Sequence, residues 1–204
     1  MKRSDGRKVR QSRIISELEN NPLFTDEEIA GNLGVSISTV RLDRAVLGIP
    51  EVRERMRTMA RQAGSKLRSL KREEVIGDLL DLQPDEWALS TLQTTSEMAF
   101  RHTNFVSDHY IYSMASSLAV AVIEADMVIP GSARVRYRFP AMVGERLIAR
   151  AKVGTKKGNK YVVSVRIKVG EKEIFTGRFI TVIEESGDGP SVRNEESDQG
   201  AFGS

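Results

Sequence analysis

Hydrophobic positions along this chain change their period twice, and the changes divide it into parts. In residues 8 to 20, Ile14, Ile15 and Leu18 form one stripe, and "NNP" at 20 to 22 ends that helix because proline disfavours helical backbone in the residue before it. "TDEEIAGNLG" follows. Thr25 and Glu28 have capping-box spacing, Ile29 and Leu33 share a face, and Gly34 suits the left-handed conformation that closes a short helix. Ser36 is placed to cap a third helix that runs to about Leu47, where Gly48 and Pro50 stop it. At about 100° per residue, Val40 and Leu47 lie on one side of this helix and Ser38, Arg41, Leu42 and Ala45 on the other.

A continuous amphipathic segment comes next, "IPEVRERMRTMARQAGSKLRSLKREEV", with Val52, Met56, Met59 or Ala60, and Ala63 as its apolar stripe. From Glu73 the pattern changes. "EVIGDLLDLQPDEWALSTL" reads as a short helix, a turn at Pro84 and a strand around Trp87 to Leu92. Residues 108 to 123 form a long, nearly all-apolar helix, rich in Ala and Ser, which should be buried. Alternation then takes over: Val135, Tyr137 and Phe139; Leu147, Ala149, Ala151 and Val153; Val163, Val165, Ile167 and Val169, each interleaved with Arg or Lys. "GTKKGNK" and "VGEKE" are hairpin turns, and "FTGRFITVIEE" is the last strand. One strand, a long buried helix, then four or five antiparallel strands is the order of a hot-dog fold, so the fold class is α+β. Such a helix wrapped by one sheet leaves polar strand edges, and a homodimer is expected.

The expected domains are 1–50, a helix-turn-helix unit; 51–72, a basic linker helix; 73–185, the hot-dog unit; and 186–204, an apolar-poor tail expected to be disordered. Charge sharpens this division. Residues 1 to 72 hold 16 Lys and Arg against 9 Asp and Glu, a net +7, while residues 73 to 204 hold 15 against 19, a net −4. The basic end carries the footprint of a polyanion reader. With no cysteine there is no disulfide, thiolate metal site or cysteine nucleophile, and only His102 and His109 supply imidazole. No apolar run spans a bilayer and the basic N-terminus leads into no signal-type apolar region, so a cytoplasmic protein is expected. No P-loop or dinucleotide fingerprint occurs.

The outward face of the third helix has the chemistry to read a DNA groove. Ser36, Ser38 and Thr39 at its start can meet phosphates or base edges, and Arg41 can reach guanine or phosphate. Arg44, at the edge of the buried side, is the weaker member of the set. In the linker, Arg53 and Arg57 belong either to an arm on the DNA backbone or to a solvated helix face.

"TDEEIAGNLGVSISTVRLD" resembles the reading heads of DeoR-type regulators. Across residues 8 to about 184 the combination of that head, "SISTVRLDRAVLGIPEVRER", "REEVIGDLLDL", "SSLAVAVI", "GERLIARAKV" and "FTGRF" resembles the FapR family of bacterial repressors of fatty-acid and phospholipid synthesis genes. The resemblance implies a homodimer on an inverted-repeat operator, released when malonyl-CoA enters the hot-dog unit. It also implies a ligand site at Phe100, Ser107, Asp108 and Ser116. There the family's malonate-binding arginine and asparagine correspond to Ser107 and Ser116, with Asp108 standing beside the first. Losing a charge-assisted bond to a carboxylate, about 1.5 to 3 kcal/mol, weakens malonyl-CoA at least tenfold unless Arg101, Arg134, Arg136 or Arg138 substitutes. Another acyl-CoA or acyl carrier then becomes the effector. Two alternatives stand beside a repressor that is no enzyme and needs no cofactor or metal. One is an acyl-CoA thioesterase-like enzyme using Asp108 and His109, although neighbouring helix residues do not face one another. The other is a ligand-independent DNA-binding protein whose pocket is filled by Phe105, Tyr110, Tyr112 and Met114.

Overall fold

The computed structural model describes residues 2–184, so the expected tail at 186–204 lies outside the described residues. Three helices open the chain: α1 (Lys2–Asn20), α2 (Asp26–Leu33) and α3 (Ile37–Val46). The first starts earlier than its apolar stripe, since charged residues sustain a helix without marking a period. Ile14, Leu18, Ile29, Ala30 and Val40 close a small core of their own. The capping box is complete: the Glu28 amide donates to Thr25 Oγ1 (3.2 Å) and the Thr25 amide to the Glu28 carboxylate (2.7 Å). Gly34 takes φ 66° at the end of α2, and Ser36 caps α3 by accepting from the Thr39 amide (3.2 Å).

Helix α4 (Val52–Gly64) bridges the two halves. Its N-terminal turn is fixed by Arg55, whose guanidinium donates to the carbonyls of Pro22 (3.0 Å), Phe24 (2.6 Å) and Pro50 (2.6 Å). Its C-terminal turns bury Ala60 and Ala63 and lie along β1.

Strands β1 (Asp78–Gln83), β2 (Trp87–Gln93), β3 (Val128–Tyr137), β4 (Arg146–Lys157), β5 (Lys160–Val169) and β6 (Lys172–Ile183) form one antiparallel sheet in the order β1-β2-β4-β5-β6-β3. It curls around α5 (Asp108–Ala121), whose Met114, Ala115, Leu118 and Ala119 are fully enclosed. This is the hot-dog arrangement, with two strands before the helix instead of one. Residues 78–83, expected as part of a short helix, are strand β1. Only Arg72–Glu74 forms a helical turn there, and a bulge between Leu79 and Asp81 breaks the alternation that would have marked the strand. Strand β3 likewise begins six residues before its alternating stretch and carries a bulge between Pro130 and Ser132. One sheet edge, β1, is covered by α4. At the other, β3 pairs only with β6 among the described strands, and its outer edge is open.

Candidate nucleic-acid interface and effector cleft

Helix α3 presents a wet hydroxyl cluster at its start. Ser36 Oγ lies 2.9 Å from Ser38 Oγ and 2.8 Å from Thr39 Oγ1, on an exposed corner. Further along the same face stand Arg41, Leu42, Ala45 and Val46, with Leu42 69% and Val46 63% exposed. Large apolar side chains facing water on a short helix leave a surface suited to thymine methyls, beside an arginine suited to guanine. Val46 was not picked out by the helical wheel, because it sits at the margin of the outward arc. Arg41 leans back on α2, 3.4 Å from Asp26 and 3.6 Å from Glu27, while its side chain stays 62% exposed.

Arg44, expected near the groove, is elsewhere: its side chain is 8% exposed. It donates to both Asp26 carboxylate oxygens (2.9 and 3.2 Å) and to the Ile49 carbonyl (2.7 Å). It ties α3 to α2 and to the turn that follows α3. Asp43 is likewise buried, accepting from Arg10 and Gln11 of α1. Burial raises the carboxyl pKa of both acids, but the hydrogen bonds and charges around them outweigh it: Arg44 and then Arg41 at Asp26, and Arg10, Gln11 and Arg7 at Asp43. Both groups end below the ordinary aspartate value. Their contribution is therefore complete above the unfolded pKa of about 3.9 and is lost as pH falls through the lower folded values. The thermal stability of the helical unit should fall as pH drops from about 5 to about 3, more steeply than in an Asp43→Asn variant.

On α4, Arg53 and Arg57 point to solvent, Arg57 lying 3.4 Å from Glu54.

In the hot-dog unit a cleft of about 380 Å³ opens at the N-terminal end of α5. Its walls are mostly apolar: Phe100, Phe105, Val106, Ile111, Phe139 and Pro140, with Tyr137. Two charged groups reach it, Asp108 and Arg138. Burial pushes the Tyr137 phenol up, and the nearby Asp108 charge and Tyr112 add to that. Of the expected ligand residues, Phe100 and Asp108 line this cleft. Ser107 and Ser116 do not: Ser107 is buried at the helix start, with its hydroxyl 2.8 Å from His109 Nδ1, and Ser116 lies two turns along α5, half-buried. Of the arginines weighed as substitutes, Arg138 is the one lining the cleft; its Nε is also 3.4 Å from Glu173. Phe105 lines the cleft and is 45% exposed, so it does not plug a buried tunnel, whereas Met114 is core.

Among the described residues no group of His, Cys, Asp or Glu could hold a metal ion, and no helix is long and apolar enough to cross a membrane. No family model matches the chain. Among curated proteins it is 46% identical over 176 residues to a Transcription factor FapR of Thermoanaerobacter sp., covering 86% of this chain and 88% of that one. A Transcription factor FapR of Bacillus velezensis is 41% identical over 182 residues, covering 88% and 96%. Among solved structures, an uncharacterized protein, PH1136 of Pyrococcus horikoshii, superposes with a TM-score of 0.55 at 25% identity, over 59% of this chain and 93% of that one.

Proposed function

The chain belongs to the FapR family of transcription factors and is a DNA-binding regulator of transcription, and from that premise we propose the rest of its action. It represses genes of fatty-acid and phospholipid synthesis, in the cytoplasm, by placing α3 of each of two copies in the major grooves of an inverted-repeat duplex. Residues 1–50 are the reading unit, 51–72 the linker and 73–185 the effector and pairing unit. The observation that carries the reading is the outward face of α3, where Ser36, Ser38, Thr39 and Arg41 converge on one exposed surface beside Leu42 and Val46. Arg53 and Arg57 supply backbone contacts from α4.

Pairing is supported by the open edge of β3, flanked by exposed Ile129, Tyr137 and Phe139. A second copy joining β3 to β3 would satisfy that edge and cover those side chains. Sedimentation equilibrium should give twice the chain mass; a monomer at micromolar concentration would exclude the dimer.

The effector is an acyl-CoA whose acyl end enters the cleft of Phe100, Phe105 and Asp108. The Asp108 carboxylate disfavours a malonyl group and Arg138 favours one, so the balance between these two sets the preference. This is a binding cleft and not a hydrolytic one: Asp108 and His109 are adjacent on the helix, and His109 is engaged by Ser107. The test is gel retardation on an inverted-repeat fragment upstream of fatty-acid synthesis genes, titrated with malonyl-CoA, acetyl-CoA and a long-chain acyl-CoA. Retardation reversed by one of them supports the reading; thioester hydrolysis without retardation would replace it with the enzymatic one. In the same assay Arg41→Ala should bind the operator about 1 to 3 kcal/mol more weakly, with its melting temperature unchanged.

A further inference from the structure

The outer face of the sheet, away from α5, holds a concentration of arginine that neither the reading unit nor the effector cleft uses. Strand register places it in two neighbouring rows. In the first, Arg134 on β3 is opposite Arg178 on β6, which is opposite Ser164 on β5, then Lys152 on β4 and Trp87 on β2. In the second, Arg136 is opposite Thr176, then Arg166, then Arg150. Each row steps across neighbouring strands spaced about 4.8 Å apart, and the rows themselves lie two residues, about 7 Å, apart. The surface is furrowed. A hollow of about 840 Å³ between Trp87 and Arg166 adjoins one of about 490 Å³ between Arg134 and Arg178, and Ser164 and Arg166 line both.

Like charges directly opposite one another across strands repel, and Arg134 with Arg178 and Arg150 with Arg166 are two such pairs. Glu173 approaches Arg166 at 3.7 Å, and Asp85 and Glu86 close only the Trp87 end. The pairs are thus left largely unneutralised, an arrangement that folding alone does not favour and a bound polyanion relieves. Arginine outnumbers lysine, and Ser164 and Thr176 place hydroxyl donors between the guanidinium groups. Forked cations interspersed with hydroxyls match phosphate oxygens.

We propose that this face is a second DNA surface, which holds the phosphodiester backbone of duplex DNA without regard to sequence. Duplex is the occupant the molecule favours, because α3 keeps the chain on DNA and raises the local concentration of further phosphates. The inference rests on the DNA-binding reading above, and the rows begin at β3, so pairing through that edge would join two such faces.

Trp87 is the sole tryptophan and borders the furrow, so its emission reports on this face and not on α3. The full chain is titrated at low salt with a non-operator duplex. The expected result is a saturable change in Trp87 emission, retained in Arg41→Ala. In the triple variant Lys152→Ser, Arg166→Ser, Arg178→Ser it should weaken at least tenfold, and the slope of log affinity against log salt should become shallower by about 2 to 3. Melting by circular dichroism confirms that the triple variant folds, and Lys152→Arg, Arg166→Lys, Arg178→Lys should keep most of the affinity. An unchanged salt slope in the triple variant overturns the proposal. So does displacement of the duplex by poly-glutamate of equal charge at equal concentration, which would assign the face to acidic proteins. Failure of operator retardation with the Trp87 response intact would instead count against the operator reading alone.

Discussion

Arg44→Ala should weaken operator binding by destabilising the reading unit, and not by removing a contact to DNA. The guanidinium is nearly enclosed and donates to both oxygens of Asp26 and to the Ile49 carbonyl, so alanine leaves the carbonyl without its donor and the partly buried carboxylate with only the exposed Arg41 at 3.4 Å. Removing one partner of such a pair costs about 3 kcal/mol or more. A unit of some fifty residues, at roughly 0.1 kcal/mol per residue, has only about 5 kcal/mol to lose. Calorimetry should therefore show the lower-melting transition displaced or missing while the hot-dog transition stays in place. The double variant Asp26→Ala, Arg44→Ala should recover part of the loss, since it removes the stranded acid as well. Normal melting with lost operator binding would return Arg44 to the groove.

Gly77→Ala should be the most damaging single methyl in the second unit. Gly77 sits at φ 89° just before β1, and a Cβ there would lie 2.4 Å from the Thr91 carbonyl oxygen and 3.2 Å from its carbon. Both atoms belong to the backbone of β2, so no rotamer can relieve the overlap. The positive φ costs a further 1 kcal/mol or so, giving about 4 kcal/mol in all. For a domain of this size that lowers the melting temperature by about 15 °C or more. Gly144 has nearly the same φ, 88°, with nothing within 4 Å of the added atom, so Gly144→Ala carries the backbone strain alone. It should fall by only a few degrees; equal losses in the two variants would show that the close approach of β1 to β2 is not what Gly77 permits.

Local chemistry was the readable part of this molecule. The capping box at Thr25, the left-handed Gly34, the Ser36 cap and the alternation through β4 and β5 each depend on residues within a few positions of one another. β1 escaped because its bulge and its cover of α4 bury Leu79, Leu80 and Leu82 together, a spacing that a helix also produces. Arg44 was misplaced for a different reason. A helical wheel gives a residue's direction but not its partner, and the acid that draws this side chain inward lies 18 positions earlier in another helix. The cleft was half legible. Phe100 and Asp108 stand in it, and of the four arginines named from the sequence as substitutes it is Arg138, just past the end of β3, that lines it, a choice among the four that no local pattern makes.

The pairing of Arg41 with Asp26 and Glu27 gives the free protein an internal rival for its own ligand. Any DNA that engages Arg41 must first draw it off two carboxylates, a toll that is the same for every sequence but is recovered only where guanine or a well-placed phosphate offers something better. Random sequence is held less firmly in consequence, and the time spent searching wrong sites shortens. Glu27→Gln should raise affinity for every duplex that engages Arg41 by a similar factor and leave the ratio between the operator and the rest unchanged, which makes the acidic first turn of α2 a brake on residence time as well as a helix cap.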